Sequence, residues 1–186
     1  MLLTLPNILT WMRIFAIPLV VVLFYLPYQW ADPAAGLLFG AAGITDSLDG
    51  YFARKHGLTS RLGAFLDPVA DKMIVAVALV LLVTKDPRAM VVVMAAIIIS
   101  REIAISALRE WMAEVGARTK VAVSKLGKFK TILQIVGLSL MLFRWNLLGL
   151  PMYNMGLICT MVAAALTVWS AIEYLRAAWP ELRGSA

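Results

Sequence analysis

Four aspartates in two closely spaced pairs are the feature of this chain that best indicates chemistry. Asp46 and Asp49 are three residues apart, and Asp67 and Asp71 are four apart. Residues at these spacings share one face of a helix, so each pair would present two carboxylates in one direction. An acid in an apolar helix at bilayer depth costs roughly 2.5–3.5 kcal/mol, and neighbouring carboxylates also repel one another. Divalent cations would offset both effects, and such a cage suits hard metals that handle phosphates.

Ion transport is the main alternative function for a protein with acidic residues in apolar segments. Ion sites of transporters usually use one or two acids near the bilayer midplane, spread over several helices. Here the acids crowd the ends of two adjacent segments, beside the small residues Gly50, Ala53 and Gly63. A divalent-cation transporter or metal-dependent scaffold would bind or move metal without releasing a product. The pattern favours an enzyme over both.

The elements that must position these acids are long apolar segments. The chain has 186 residues, 62% of them hydrophobic, and its mean hydropathy is +0.85, whereas soluble domains are about 45–50% apolar. The surplus falls in runs of about 20 residues, the length that crosses a bilayer. We therefore predict an all-α integral membrane protein whose six transmembrane helices form one bundle, a single domain over 1–186. The predicted spans are 8–27, retained as a first span, then 34–54, 66–84, 89–112, 129–146 and 153–177.

Basic residues predict how this bundle is oriented. Of the 17 Lys and Arg residues, only Lys85, Arg88 and Arg144 fall on one side of the predicted bundle, which leaves fourteen for the other. Cytoplasmic loops carry the excess of Lys and Arg, so both termini and the aspartates are expected to face the cytoplasm. The net charge of +6 is explained by topology and anionic headgroups without nucleic acid. A single histidine, His56, excludes paired-histidine mechanisms, and the lone Cys159 excludes an intramolecular disulfide.

Charged residues also interrupt the fourth span and the segment after it. Arg101 and Arg109 either extend beyond the bilayer into solvent or point into the cavity on which the aspartates open. The following segment carries five cations within 13 residues: Arg118, Lys120, Lys125, Lys128 and Lys130. These cations could bind lipid headgroups without specificity, or they could form a phosphate site with the N-terminus of the helix expected near Lys128.

The aspartates belong to a longer pattern that resembles a known family. Asp-x-x-Asp-Gly-x-x-Ala-Arg, eight further residues and Gly-x-x-x-Asp-x-x-x-Asp is similar to the signature of the CDP-alcohol phosphotransferases. Further stretches at 5–13, 65–72 and 101–110 resemble the members that use glycerol phosphate, and the likeness runs nearly from end to end. All eight fixed positions of the signature are present: Asp46, Asp49, Gly50, Ala53, Arg54, Gly63, Asp67 and Asp71.

The resemblance implies a fold, a reaction and a metal requirement. It implies two divalent cations, Mg²⁺ or Mn²⁺, held by Asp46, Asp49, Asp67 and Asp71 and bound to the diphosphate of CDP-diacylglycerol. Asp71 would also be the catalytic base that takes the proton from the 1-hydroxyl of sn-glycerol 3-phosphate. The hydroxyl oxygen would then attack the β-phosphorus, and CMP would leave. Such transfer needs mainly positioning and charge neutralisation, together with a base within reach of the hydroxyl.

The resemblance also implies a nucleotide side and an acceptor side. The nucleotide of CDP-diacylglycerol would lie against Gly50, Ala53, Arg54 and Gly63. From the first helix Asn7, Thr10 and Arg13 would close that side, although an N-cap and an arginine extended toward the membrane surface explain them equally well. The acceptor phosphate is expected at five basic residues: Arg101, Arg109, Arg118, Lys125 and Lys128.

Acceptor choice stays open on the residues alone. A pocket with several cations favours a phosphorylated alcohol over serine, but it does not separate glycerol phosphate from inositol phosphate. The wider resemblance points to glycerol phosphate. It further implies a multi-pass protein of the bacterial cytoplasmic membrane, acting on lipid in the bilayer, and a homodimer.

Overall fold

Six α-helices make up almost all of the part of the chain that the structure describes, as the apolar segments predicted. The structure, a computed structural model, describes residues 5–56, 61–116 and 125–184, with side chains described at 10–45, 66–116, 127, 129–180 and 183. In chain order the helices and the two short strands are α1 (Leu5–Tyr25), α2 (Ala31–His56), α3 (Arg61–Lys85), α4 (Ala89–Glu114), α5 (Lys125–Phe143), β1 (Asn146–Leu147), β2 (Leu150–Pro151) and α6 (Met152–Gly184).

The ends of several helices differ from the predicted spans. Hydropathy marks only the apolar part of a helix, so charged ends are missed. Helix α5 begins at Lys125 and ends at Phe143, whereas the predicted span ran over 129–146. The predicted turn before α6 is an antiparallel hairpin that pairs Leu147 with Leu150, and its backbone turns at Gly149, where φ is +80°.

Two helices of the described chain, Ala89–Glu114 and Met152–Pro180, are long and apolar enough to cross a membrane. Thr10–Tyr25 and Phe129–Phe143 are apolar but shorter. An all-α fold of six helices is therefore confirmed for the described residues. Crossing of the bilayer by all six helices goes beyond this finding and stays a prediction.

Small residues bring α2, α5 and α6 into close contact. A Cβ atom at Gly36 would lie 2.6 Å from the backbone nitrogen of Phe143, and one at Gly43 would lie 2.5 Å from the Ile135 side chain. On the other side of α5, a Cβ atom at Gly137 would lie 2.3 Å from the Thr160 hydroxyl. Such glycines let helix backbones approach closely, which is typical of packing within membranes.

The core lies between the helices and fixes their relative positions. Phe24, Phe39, Leu79, Ile98 and Leu138 are at most 2% exposed and come from five different helices. Helix α1 packs on α2 and α3, α4 packs on α6 and α3, and α5 lies against α2 and α6. At one end of this core, residues of α1 to α5 line a common cavity, with α3 contributing from its first half and α4 from its second half.

Candidate active site

A cavity of about 630 Å³ lies among α1, α2, α3, α4 and α5. Asp67 and Asp71 line it from α3, one helical turn apart, as their spacing predicted. The side chain of Asp71 is 38% exposed, so its carboxylate is accessible from the cavity. These two acids therefore form one wall of a pocket that is large enough for a small ligand.

Helix α1 contacts both acids directly. The hydroxyl of Thr10 donates a hydrogen bond to Oδ1 of Asp67, and Nη1 of Arg13 donates one to Oδ1 of Asp71. Thr10 and Arg13 are 2% and 3% exposed. The alternative interpretation of Arg13 as an arginine extended toward the membrane surface is therefore wrong, because its guanidinium group is buried against a carboxylate.

A second part of the cavity wall comes from α4. Arg101 and Arg109 both line the cavity that Asp67 and Asp71 line. The side chain of Arg101 is only 12% exposed, and its Nη2 donates a hydrogen bond to the Ser170 hydroxyl over 2.7 Å. The interpretation that Arg101 extends beyond the bilayer into solvent is therefore wrong. The side chain of Arg109 is exposed, and it also borders the cavity.

Helix α5 contributes two polar residues that were not among the five expected to bind the acceptor phosphate. Nζ of the buried Lys130 donates a hydrogen bond to Oε1 of Glu102 over 2.7 Å. The same oxygen accepts a longer bond of 3.3 Å from Nη1 of Arg101. Gln134 follows Lys130 by one turn, is 4% exposed and lines the cavity. Two polar residues four apart in an apolar helix were the available signal, since that spacing places both on one face.

Some buried polar atoms at the cavity have no hydrogen-bond partner within the described part of the chain. Among them are Nε of Arg101 and Oε1 of Gln134. Buried polar atoms in folded proteins are normally hydrogen-bonded. A polar ligand in the cavity could bond to both atoms. A charged oxygen of the ligand would accept from the Arg101 donor, and a hydroxyl group would donate to the Gln134 acceptor.

Several predicted site residues lie outside the described side chains. The backbone places Asp46, Asp49, Gly50, Ala53 and Arg54 in α2, Gly63 in α3, and Lys125 and Lys128 at the beginning of α5. Arg118 lies outside the described residues, and Asn7 belongs to α1. The helix start that was expected near Lys128 is observed at Lys125.

The donor set of the α3 wall fits a hard divalent cation. Asp67 and Asp71 offer carboxylate oxygens from adjacent turns of one helix, and oxygen ligands are those that Mg²⁺ and Mn²⁺ prefer. Among the described residues no three acidic, histidine or cysteine side chains come together as a metal site. The α3 pair is therefore part of a ligand set, and the other predicted members, Asp46 and Asp49, are carried by α2.

Comparisons with known proteins agree with this architecture. The family model of the CDP-alcohol phosphatidyltransferases matches residues 3–169, a range that contains both aspartate pairs. A protein of Salmonella choleraesuis named CDP-diacylglycerol–glycerol-3-phosphate 3-phosphatidyltransferase is 49% identical over 177 residues, which are 95% of this chain and 96% of that protein. A protein of the same name from Escherichia coli K12 is 48% identical over the same shares of both chains.

The two relatives match 95% of the chain at an identity of 48–49%, which is well above that of chance resemblance. The family match also includes the helices that form the cavity walls, from α1 through the greater part of α6. The chain therefore belongs to the CDP-alcohol phosphatidyltransferase family.

Proposed function

We propose that this protein transfers the phosphatidyl group of CDP-diacylglycerol to the 1-hydroxyl of sn-glycerol 3-phosphate, giving phosphatidylglycerophosphate and CMP. The observation that carries the proposal is the cavity, which Asp67 and Asp71 line together with the cationic residues Arg101 and Arg109. The names of relatives 48–49% identical over 95% of the chain support the same substrates. The reaction belongs to phospholipid biosynthesis, in the branch that leads to phosphatidylglycerol and cardiolipin.

The acidic wall would hold the metal and the base. Asp46, Asp49, Asp67 and Asp71 would hold two divalent cations, Mg²⁺ or Mn²⁺. When bound, these cations would neutralise the charge of the diphosphate and of the transition state. Within this set Thr10 fixes Asp67, and Arg13 fixes Asp71, through their hydrogen bonds from α1.

We assign the role of catalytic base to Asp71. Its carboxylate borders the cavity and is held in orientation by Arg13. It would accept the proton of the 1-hydroxyl as the hydroxyl oxygen forms its bond to the β-phosphorus. The bond between that phosphorus and the oxygen of CMP breaks, and CMP leaves. A positioned base of this kind typically contributes about 10²–10⁴-fold to the rate.

The cationic wall would bind the acceptor phosphate. Arg101 has an open Nε donor within the described part of the chain, and Arg109 reaches the same cavity. Arginine suits phosphate because its planar donors match two oxygens at once. Arg118, Lys125 and Lys128 would add to this site. The nucleotide would lie against Asn7, Thr10, Arg13, Gly50, Ala53, Arg54 and Gly63.

We further propose that the 186-residue chain forms one bundle of six transmembrane helices in the bacterial cytoplasmic membrane. Apolar side chains on the outside of the helices support this proposal, among them Leu19, Val80, Val93, Ile158 and Trp169, each at least half exposed. A lipid environment would cover them. The excess of basic residues at the cavity end supports a cytoplasmic site and cytoplasmic termini.

The deciding experiment is CMP release by the purified protein in detergent with Mg²⁺ and CDP-diacylglycerol. Glycerol 3-phosphate, inositol phosphate, serine and no acceptor are compared, each with and without EDTA. We expect release only with glycerol 3-phosphate, and its loss with EDTA. Release with another alcohol would keep the transfer chemistry and overturn the acceptor assignment. A folded protein that releases no CMP with any acceptor would contradict the proposal as a whole.

A further inference from the structure

Gln134 is a buried polar residue of the cavity wall that has no part in the transfer chemistry proposed above. It belongs to α5, is 4% exposed and lines the cavity. Its Oε1 has no hydrogen-bond partner within the described part of the chain. We propose that Gln134 binds the 2-hydroxyl of glycerol 3-phosphate and so determines which phosphorylated alcohol the site accepts. The inference rests on the proposed function, because it assigns a residue to one group of that function's acceptor.

The other neutral polar side chains of the described cavity wall are Ser106 and Thr131. The Ser106 hydroxyl donates a hydrogen bond to the Glu102 carbonyl over 2.6 Å, and the Thr131 hydroxyl donates one to the Gly127 carbonyl over 3.0 Å. Both donors are therefore used within their own helices, whereas the side-chain oxygen of Gln134 is open in the described part of the chain. Because buried polar atoms normally have a partner, this oxygen indicates contact with a ligand.

The amide of Gln134 suits a hydroxyl group better than it suits a phosphate. Its oxygen accepts hydrogen bonds, and the ionised oxygens of a phosphate have no proton to donate. A hydroxyl group both donates and accepts, so it can bond to either polar atom of an amide. The terminal torsion of glutamine is broad, so the amide can turn toward a ligand while the rest of the side chain stays in place.

The 2-hydroxyl is the group of the acceptor that the proposed function leaves without a binding residue. In the proposed reaction the 1-hydroxyl reacts at Asp71 and the phosphate binds at Arg101 and Arg109, all of which line the cavity that Gln134 lines. These contacts come from α3 and α4, and Gln134 adds a third from α5. Three contacts on three helices distinguish a molecule from its mirror image, whereas two contacts do not.

Contacts on either side of Gln134 hold this part of α5 at the cavity. One turn before it, Nζ of Lys130 donates a hydrogen bond to Oε1 of Glu102 on α4 over 2.7 Å. Three residues after it, a Cβ atom added at Gly137 would lie 2.3 Å from the Thr160 hydroxyl on α6. Gln134 is therefore carried by a backbone that packs against two other helices, and a residue that selects a substrate needs such a rigid support.

The test compares glycerol 3-phosphate with 3-hydroxypropyl phosphate, which keeps the reacting hydroxyl and the phosphate but lacks the 2-hydroxyl. CMP release in detergent with Mg²⁺ and CDP-diacylglycerol gives kcat/KM for each acceptor. We expect the unaltered protein to prefer glycerol 3-phosphate by about 10–100-fold, because an acceptor without the hydroxyl leaves the buried amide unpaired. Gln134→Met keeps the length of the side chain and removes the amide. Its preference should fall to within about twofold, with 3-hydroxypropyl phosphate used as well as before.

A second variant and a control accompany Gln134→Met. Gln134→Asn withdraws the amide by one methylene group and should also lower the preference, so it tests the inference even if Gln134→Met does not fold. Thr131→Val is the matched control, because it removes a hydroxyl of the same helix and the same cavity wall that is bonded to Gly127. It should retain the full preference. Selectivity for sn-glycerol 3-phosphate over sn-glycerol 1-phosphate should fall in Gln134→Met and persist in Thr131→Val.

Equal use of both acceptors by the unaltered protein would overturn the inference, and so would a preference that survives in Gln134→Met and Gln134→Asn. An equal loss with both acceptors would show that Gln134 only supports the packing of α5, and would overturn it too. Failure of the proposed function looks different. In that case the unaltered protein releases no CMP with glycerol 3-phosphate, whereas an unselective enzyme still releases CMP with both acceptors.

Discussion

At the scale of single residues, the buried contact between Arg13 and Asp71 decides what the acidic wall can do. The guanidinium of Arg13 is enclosed by protein, while the carboxylate it contacts is 38% exposed. The hydrogen bond to Oδ1 fixes the orientation of the Asp71 carboxylate, while part of the side chain stays accessible from the cavity. A carboxylate held in this way is suited to accept a proton without rearrangement.

Asp71→Asn retains the size of the side chain and removes its ability to accept the proton. We expect kcat to fall by about 10²–10⁴-fold, with binding of CDP-diacylglycerol largely retained. CMP release and binding of the lipid substrate are the two measurements. Glu173→Gln neutralises an exposed acid of α6 that does not line the cavity; it is the control and should turn over normally. Near-normal turnover by Asp71→Asn would exclude this carboxylate as the base.

Arg109→Ala removes an exposed cation that α4 contributes to the cavity wall. We expect the KM for glycerol 3-phosphate to rise roughly tenfold, which corresponds to about 1.4 kcal/mol of lost binding. The KM for CDP-diacylglycerol should stay the same. Arg176→Ala on α6 removes an exposed arginine that does not line the cavity, and it should change neither value. An unchanged KM in Arg109→Ala would place the acceptor phosphate elsewhere.

At the scale of helices, the contacts that close the bundle are made by the smallest residues. Helix α5 lies between α2 and α6, and glycines on both of its neighbours and on α5 itself permit this approach. Close backbone contact replaces the interlocking of large side chains that is common in soluble cores. Positions of this kind have no room for added atoms.

Gly137→Ala tests this close approach. The added Cβ atom would lie 2.3 Å from the Thr160 hydroxyl and 2.8 Å from the Thr160 backbone nitrogen, so α5 and α6 must separate. We expect a loss of about 1–3 kcal/mol in the free energy of unfolding, measured in detergent. Ala165→Val enlarges an exposed residue of α6 and should have little effect. Equal stability of both variants would show that α5 and α6 tolerate separation.

The helices also show what the sequence could and could not supply. Six apolar runs predicted six helices. The four-residue spacing of Asp67 and Asp71 predicted that both side chains lie on the same face of one helix. The contact of Lys130 with Glu102 joins residues on different helices, and hydropathy says nothing about which helices are neighbours. The start of α5 at Lys125 was missed because its first turn is rich in lysine, which an apolar pattern does not detect.

At the scale of the whole molecule, the two ends of the bundle differ. The cavity end is open, whereas the other end is tied by contacts between distant segments. Nζ of Lys85 contacts Oδ1 of Asp32 over 2.8 Å, which joins the end of α3 to the start of α2. Asp86 accepts two hydrogen bonds from the Arg88 side chain and one from the Tyr153 hydroxyl at the start of α6.

These contacts make the stability of the tied end depend on pH. The guanidinium of Arg88 holds the pKa of Asp86 well below its ordinary value of 3.8. A carboxyl whose pKa is lowered by folding stabilises the protein above the unfolded pKa, and the stabilisation declines as the pH falls below it. We expect Asp86→Asn to lower Tm at pH 6 and to lower it less at pH 3, as measured by thermal unfolding in detergent.

The control for this prediction is Glu173→Gln, which neutralises an exposed acid on α6. Its difference in Tm from the unaltered protein should be small at both values of pH. A difference for Asp86→Asn that is the same at pH 3 and pH 6 would show that Asp86 acts without its charge.

The separation of the cavity into two walls has a consequence for how new headgroups could arise. Thr10 and Arg13 hold the acids from α1, while Arg101 and Arg109 reach the cavity from α4. Under the proposed function, the transfer chemistry and the choice of alcohol would therefore be encoded in different stretches of the gene. Exchange of the α4 segment between relatives could change the alcohol that is accepted and leave the reacting groups in place. Such chimaeras offer a practical route to membranes with headgroups chosen by design.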